Sequence, residues 1–245
     1  MTPKSIPLTE LEPFVTEGHI LDVLHVVKSG KEATVYCCAA HPATGVELLT
    51  AKVYRPRENR NFKNDAIYQA GRVIVNRRDR LAVQKKSHYG RELHFGMWIE
   101  QERETLEQLH AAGADVPRLI ARADRALLME YIGDRQEPAT ALSHVRLSPR
   151  EVRPLFDNVM RNLQLWLRND LIHGDLSPFN ILYWRGRLTF IDFPQAVDPQ
   201  TNPHAFALLA RDVENVCAYW SRYGLRLHPQ RITEDLWIRY QFGEL

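Results

Sequence analysis

The sequence predicts an α+β fold, one large domain or two lobes, with a small β-rich part over residues 21–131, a helical part over 132–245 and an arm or short capping segment at 1–20 in front. Three patterns carry that expectation. In the first half, short apolar runs alternate with turn residues, as in antiparallel hairpins. In the second half, apolar residues recur every three to four positions over long stretches, as in helices packed on a core. Between the halves, the apolar run 127–129 passes through Glu130 into Tyr131-Ile132-Gly133, a glycine link suited to joining two lobes.

Charge and cysteine usage narrow the class. The 32 Lys and Arg nearly balance the 30 Asp and Glu, so any basic surface must be local. Cys37, Cys38 and Cys217 form no CxxC pair and no framework spacing, which argues for a reducing compartment and against a structural zinc site. Pro3, Lys4, Pro7, Glu10, Glu12 and Pro13 interrupt the N-terminus, so it lacks the apolar core of a signal peptide. No apolar run approaches membrane-spanning length. A cytoplasmic protein without a membrane partner is expected.

The first elements read as hairpins. Residues 21–27 and 35–39 are strands around a turn at 28–34, where Gly30 allows a sharp turn or a close approach to a ligand. Exposed amides of that turn, with Ser29, can hold phosphate oxygens. A second hairpin through Ala43-Thr44-Gly45 returns along Leu48–Tyr54. Strand alternation puts Leu48, Thr50, Lys52 and Tyr54 on one face, and a lysine inside an apolar strand is costly unless paired. Residues 55–90 hold ten Lys and Arg against three acids, with a short helical turn expected at 65–71. Such a segment suits phosphate groups on a nucleotide or on RNA, or else a solvated insertion.

A helix is expected over 91–111, with Phe95, Trp98, Ile99, Leu106 and Leu109 at helical spacing. At about 100° per residue, Glu102 falls inside this stripe while Glu100 and Glu104 fall outside. A buried carboxylate needs a cation and Lys52 needs an anion, so the two are expected to pair. Strands follow at 119–123 and 125–130. In a two-lobed nucleotide-binding fold this link would put Met129 at the back of the pocket and backbone groups of Glu130 and Ile132 against adenine; the alternative is an ordinary strand and turn.

The C-terminal half opens with Ser148-Pro149-Arg150-Glu151, a capping box with proline at the first helical position. The helix that follows buries Val152, Leu155, Phe156, Val159, Leu163, Trp166 and Leu167 and ends near Asn169-Asp170. It delivers the chain to His173-Gly174-Asp175-Leu176-Ser177-Pro178-Phe179-Asn180. A hairpin through Arg185-Gly186 then leads to Phe190-Ile191-Asp192 and returns the two loops to one end. An Asp and an Asn supply oxygen ligands suited to Mg²⁺ with substrate phosphates. A further Asp, free of the metal, can accept the proton of an attacking hydroxyl. A helix over 203–223 places Phe206, Leu209, Val213, Val216 and Trp220 on one face, with Asp212 beside it, either anchoring the loop below or facing water. A last helix is expected over 234–240, with Pro229 and Thr233 near its start.

Taken together, Ser29 to Tyr36, Ala51-Lys52-Val53-Tyr54, Met97 to Glu102, His173 to Asn180, Ile191-Asp192 and Arg211 to Val216 resemble the RIO family of atypical serine/threonine protein kinases. The resemblance runs over residues 21–225 and includes the insertion before the first long helix. It implies a reduced two-lobed protein-kinase-like fold without an activation segment. No Ala-Pro-Glu follows Asp192, whose next residues are Phe193-Pro194. Too few residues precede Val23 for the winged helix of one RIO branch, so the chain resembles the branch lacking it, as a compact bacterial member would.

The resemblance implies ATP and Mg²⁺ as cofactors, with Mn²⁺ as a substitute. Lys52 would hold the ATP phosphates, Glu102 would orient it, and Ser29, Gly30 and Lys31 would lie at the phosphate loop. Asp175 would be the catalytic group, and Asn180 and Asp192 would bind the metal. Asp192 would also be a candidate phosphoacceptor. The activity implied is serine/threonine phosphorylation of a protein substrate or of itself, or an ATPase switch on a ribosomal or RNA partner met through residues 55–90. Two other readings stand beside it: a small-molecule phosphotransferase of the aminoglycoside or choline type, and a nucleotide-binding RNA scaffold.

Overall fold

The computed structural model describes residues 9–55, 81, 85 and 87–245; the expected turn at 65–71 and most of the basic insertion lie outside the described residues. The chain divides into two units. One holds the chain through the first three strands, the first part of the long helix and residues 117–138; the other holds residues 104–116 and 139–245.

The first unit is an antiparallel sheet of β1 (Ile20–Ser29), β2 (Ala33–Ala40), β3 (Leu48–Tyr54), β4 (Leu119–Ala123) and β5 (Ala126–Glu130), in the order β1-β2-β3-β5-β4. Alternation decides what each face buries. Leu49 and Ala51 of β3 are fully buried, whereas Leu48, Thr50 and Lys52 between them are half-buried. Leu49 and Ala51 join Ile20, Cys38, Ala126 and Leu128 in one core with Leu11 and Phe14. The last two flank and occupy α1 (Glu12–Thr16), so this part of the expected arm is a cap on the sheet. Burying Phe14 is worth roughly 1.5–3 kcal/mol. Gly45, in the left-handed region at φ 73°, closes the turn before β3.

The long helix α2 (His88–Ala111) buries Phe95, Trp98, Ile99, Leu106 and Leu109, as its spacing requires. Its C-terminal turns count with the second unit. There α3 (Pro149–Arg168) begins with the expected capping box, and the Ser148 N–H and hydroxyl both donate to the Glu151 carboxylate, at 3.0 and 2.6 Å. All seven residues of its apolar stripe are buried. A small sheet pairs β6 (Thr140–Ala141), β7 (Ile181–Trp184) and β8 (Arg187–Phe190). Arg185 and Gly186 both have positive φ, 48° and 81°, the geometry of a two-residue turn matched to strand twist.

Two helical expectations need correction. Phe206 lies in the first turn of α4 (Ala205–Ser221) and is 43% exposed; its ring meets Trp237 at 5.6 Å, and Leu208 is buried instead. The last helix, α5 (Pro229–Gln241), starts five residues earlier than expected. Thr233 is therefore interior, 1% exposed, and its hydroxyl donates to the Pro229 carbonyl one turn back at 2.9 Å. Among the described residues no helix is long and apolar enough to cross a membrane.

Candidate active site

The first unit assembles the expected lysine–glutamate pair. Strand β3 delivers Lys52 on the face opposite the Leu49–Ala51 core, and α2 delivers Glu102 from within its apolar stripe. The Lys52 Nζ lies 2.6 Å from Oε1 and 2.8 Å from Oε2 of Glu102. Their side chains are 14% and 2% exposed, so the pair is largely dry and each charge depends on the other. The sequence reading missed a third member. The Tyr54 hydroxyl donates to Glu102 Oε2, and the buried Tyr54 ring meets Trp98 edge-on at 5.4 Å. The signal was present, because Tyr54 shares the Lys52 face.

At the expected phosphate turn the structure adjusts the reasons given. Gly30 has no positive φ, and a Cβ there would meet only the Ala33 carbonyl at 3.6 Å, so the turn does not demand glycine. The Gly30 N–H donates to the Ala33 carbonyl at 2.9 Å, which commits that amide. Ser29 pairs with Thr34, and Thr34 with Val53, so the Ser29 side chain shares their face, opposite to Lys52. Its hydroxyl accepts from the Arg55 guanidinium at 2.7 Å, which also reaches Thr34 at 2.8 Å. Lys31 is exposed in the turn.

On β5, Met129 is buried and pairs with Thr50, which places it on the Lys52 face. The Glu130 N–H donates to the Arg118 carbonyl at 2.8 Å, so that amide is committed to pairing with the chain before β4. Ile132 follows, half-buried.

The second unit builds the loop around Asp175. Gly174 is buried with φ 78°, a conformation that favours glycine, and the chain alternates there: Gly174 and Leu176 inward, Asp175 exposed. The fully buried Asp212 carboxylate accepts the N–H groups of Gly174 at 2.7 Å and Leu176 at 2.8 Å. Of the two readings of Asp212, the anchor is the one observed. Burial pushes its carboxyl up to about 7, against the downward pull of those two amides and Arg211. Also on α4, Arg211 donates to the Gly174 carbonyl and Asn215 donates to Leu176 O at 3.0 Å.

His173 links this loop to the next. It is fully buried, its Nδ1 accepts the Asp175 N–H at 3.3 Å, and its Nε2 lies 3.2 Å from the Ile191 carbonyl. Burial pushes its pKa down to about 4, so it is neutral near pH 7, with the proton on Nε2 facing Ile191. The ring lies 4.5 Å from that of Phe193 and 5.8 Å from Trp166, in a buried aromatic cluster. The Ile191 N–H donates to the Asn180 carbonyl at 3.0 Å, which ties the two candidate metal residues together through the backbone. Asn180 donates its side-chain amide to the Asp175 carbonyl at 2.9 Å, leaving Oδ1 as the atom to face a cation. Asp192 holds φ 73°, a rare conformation for a residue with a side chain.

This donor set fits Mg²⁺. One carboxylate and one amide oxygen suit a hard cation that completes its shell with water and phosphate oxygens. Among the described residues no three His, Cys, Asp or Glu are grouped to hold a metal by themselves. Of the residues the sequence singles out, the structure pairs Lys52 with Glu102, joins Asn180 to the Asp175 carbonyl and sets Asp212 beneath that loop. Sequence reasoning missed Tyr54, Arg211, Asn215 and the bridging role of His173, although Arg211 and Asn215 flank Asp212 on the same helix.

An antiparallel sheet whose lysine is paired to a helix glutamate, joined to a helical unit carrying an Asp–Asn loop and a further Asp, defines the protein-kinase-like fold. The family model for the RIO domain matches residues 34–232, and the chain belongs to that family. It is 29% identical over 229 residues to serine/threonine-protein kinase RIO1 of Caenorhabditis elegans, covering 89% of this chain and 41% of that protein. It is 31% identical over 211 residues to the RIO-type serine/threonine-protein kinase Rio1 of Haloferax volcanii, covering 86% and 67%. Among solved structures it resembles a Rio2 kinase from Chaetomium thermophilum in an ADP/Mg²⁺-phosphoaspartate complex, with a TM-score of 0.66 at 19% identity, over 93% of this chain and 64% of that one. The chain thus spans less than half the length of the worm relative.

Proposed function

We propose that this protein transfers the γ-phosphoryl group of ATP to a serine or threonine hydroxyl of a protein, itself included. The observation that carries the reading is the dry Lys52–Glu102 pair at 2.6 Å in a RIO-domain chain that also keeps Asp175, Asn180 and Asp192. An ion pair this costly to desolvate makes sense where a lysine must be held ready for an anion. The relatives' names support the same activity.

In this reading Lys52 holds the phosphates, with Lys31 at the turn. Met129 lies against the adenine, which is recognised by backbone groups of Ile132 and by the Glu130 carbonyl. Asn180 Oδ1 and the Asp192 carboxylate hold Mg²⁺, for which Mn²⁺ can substitute; the cation neutralises charge on the phosphates. Asp175 accepts the proton of the acceptor hydroxyl, while the amide bonds to Asp212 fix the loop that carries it. Catalysis then rests on positioning and electrostatics. A basic segment at 55–90 suits a ribosomal or RNA partner, and the free cysteines suit the cytoplasm.

One finer alternative has a specific support, the phosphoaspartate in the solved Rio2 relative. A carboxylate oxygen of Asp192 would attack the γ-phosphorus, ADP would leave, and water would then hydrolyse the acyl phosphate. Incubation with γ-labelled ATP and Mg²⁺, wild type beside Asp175→Asn, separates the readings. Acid-stable label on serine or threonine supports the protein kinase. Phosphate release with only acid-labile label supports the ATPase. Normal turnover by Asp175→Asn would sink the protein-kinase assignment.

A further inference from the structure

Tyr54 lies two residues beyond Lys52 on the same strand face and is 1% exposed. Its hydroxyl donates to Glu102 Oε2, the oxygen that also takes Lys52 Nζ at 2.8 Å. The Lys52 ammonium stands 5.1 Å from the centre of the Tyr54 ring. Trp98, one helical turn before Glu102 on α2, holds that ring edge-on at 5.4 Å with the planes 80° apart. The four side chains are linked in series. The strand and Trp98 fix the phenol, the phenol fixes the carboxylate, and the carboxylate fixes the ammonium.

A carboxylate with a single long-chain partner can turn about its own torsions. Two donors of different geometry, one of them on a packed ring, remove that freedom. We propose that Tyr54 is a positioning residue: its phenol locks Glu102 onto Lys52 and so sets where the ammonium points. The catalytic consequence rests on the phosphotransfer reading above, but the lock itself does not.

Two arms test it on the full chain. In the first, Tyr54→Phe keeps the ring on Trp98 and removes only the hydroxyl. Loss of a hydrogen bond to a charged group should lower kcat about tenfold, with KM for ATP changed less than threefold. Placed in a Glu102→Gln background, the same substitution should cost less than twofold, because the phenol acts through that carboxylate. Tenfold losses that simply multiply would overturn the proposal, since a merely structural tyrosine gives that result. In the second arm, an N-hydroxysuccinimide ester labels lysines and mass spectrometry of the peptides reads the rates. Lys52 should label several-fold faster in Tyr54→Phe than in wild type, relative to the exposed Lys31. Unchanged labelling of Lys52 would overturn the lock. A wild type that labels as expected but turns over no ATP removes the phosphotransfer reading and leaves the lock standing. If Tyr54→Phe does not fold, 3-fluorotyrosine placed at position 54, a stronger donor of nearly equal size, should slow Lys52 labelling, and faster or equal labelling would count against the proposal.

Discussion

The Asp212 carboxylate and the Gly174 N–H meet at 2.7 Å inside the protein, and the same carboxylate takes the Leu176 N–H at 2.8 Å. Asp175 sits between the two anchored amides, so the helix α4 sets the conformation of the loop that carries it. An Asp212→Asn substitution keeps the shape but can offer only one good acceptor to two donors. Leaving one buried amide unsatisfied costs about 1–3 kcal/mol. Denaturant melts should show that loss, and ATP turnover should fall at least tenfold while nucleotide binding stays within a few-fold. Full turnover would mean that the loop does not need its anchor.

Asp212 and His173 also predict how stability depends on pH, with opposite signs. The Asp212 carboxyl is raised to about 7, so between about pH 4 and 7 the folded state holds a proton that the unfolded state has released. Its contribution is present in acid and is lost as pH rises through that window. His173 is lowered to about 4, so between about pH 4 and 6.5 the unfolded state takes a proton that the folded state refuses. Its contribution is present above that window and is lost as pH falls. The two offset each other in the wild type. Thermal melts of Asp212→Asn should show stability falling more steeply toward acid than in wild type, and His173→Phe should show stability falling toward neutrality. Parallel profiles for all three would contradict the assignments.

How far the sequence carried these conclusions depends on the residue. Lys52 and Glu102 were legible because each was an anomaly, a charge on an apolar face, and one pairing resolved both. The strands and α2 and α3 were legible because one-sided burial leaves a period in the sequence. Tyr54 was not, since an aromatic in a strand has an adequate explanation in packing alone. His173 was hidden for a related reason: its role depends on two backbone groups, Asp175 N and Ile191 O, which no side-chain pattern reports. The start of α5 was misplaced because Thr233 reads as a cap, and only the observed bond to Pro229 O shows it inside the helix.

The Lys52–Glu102 pair separates stability from chemistry. Lys52→Met leaves a carboxylate that is 2% exposed without its cation, which should cost about 3–5 kcal/mol. Adding Glu102→Leu removes the stranded charge and should restore much of that stability, although the Tyr54 hydroxyl then loses its acceptor. Neither variant should turn over ATP. Urea melts beside a γ-phosphate assay decide the matter, and a double variant no more stable than Lys52→Met would show that the buried charge was not the source of the loss.

Asp192 should show the reverse separation. At φ 73° its backbone suits glycine and tolerates asparagine or aspartate, while a β-branched residue is strongly disfavoured. Holding a side chain there costs on the order of 1 kcal/mol. Replacement by Gly should therefore leave stability unchanged or raise it slightly, Asn should lie close to wild type, and Val should be less stable by about 1–3 kcal/mol. All three should lose Mg²⁺-dependent turnover, because none retains the carboxylate. The series is read by melting each variant with and without Mg²⁺-ATP. Wild type should gain stability from the nucleotide complex, and the variants should gain much less. If Val melted with Gly, the backbone would not be strained in solution. If Gly kept the full nucleotide-induced shift, Asp192 would not be the metal ligand.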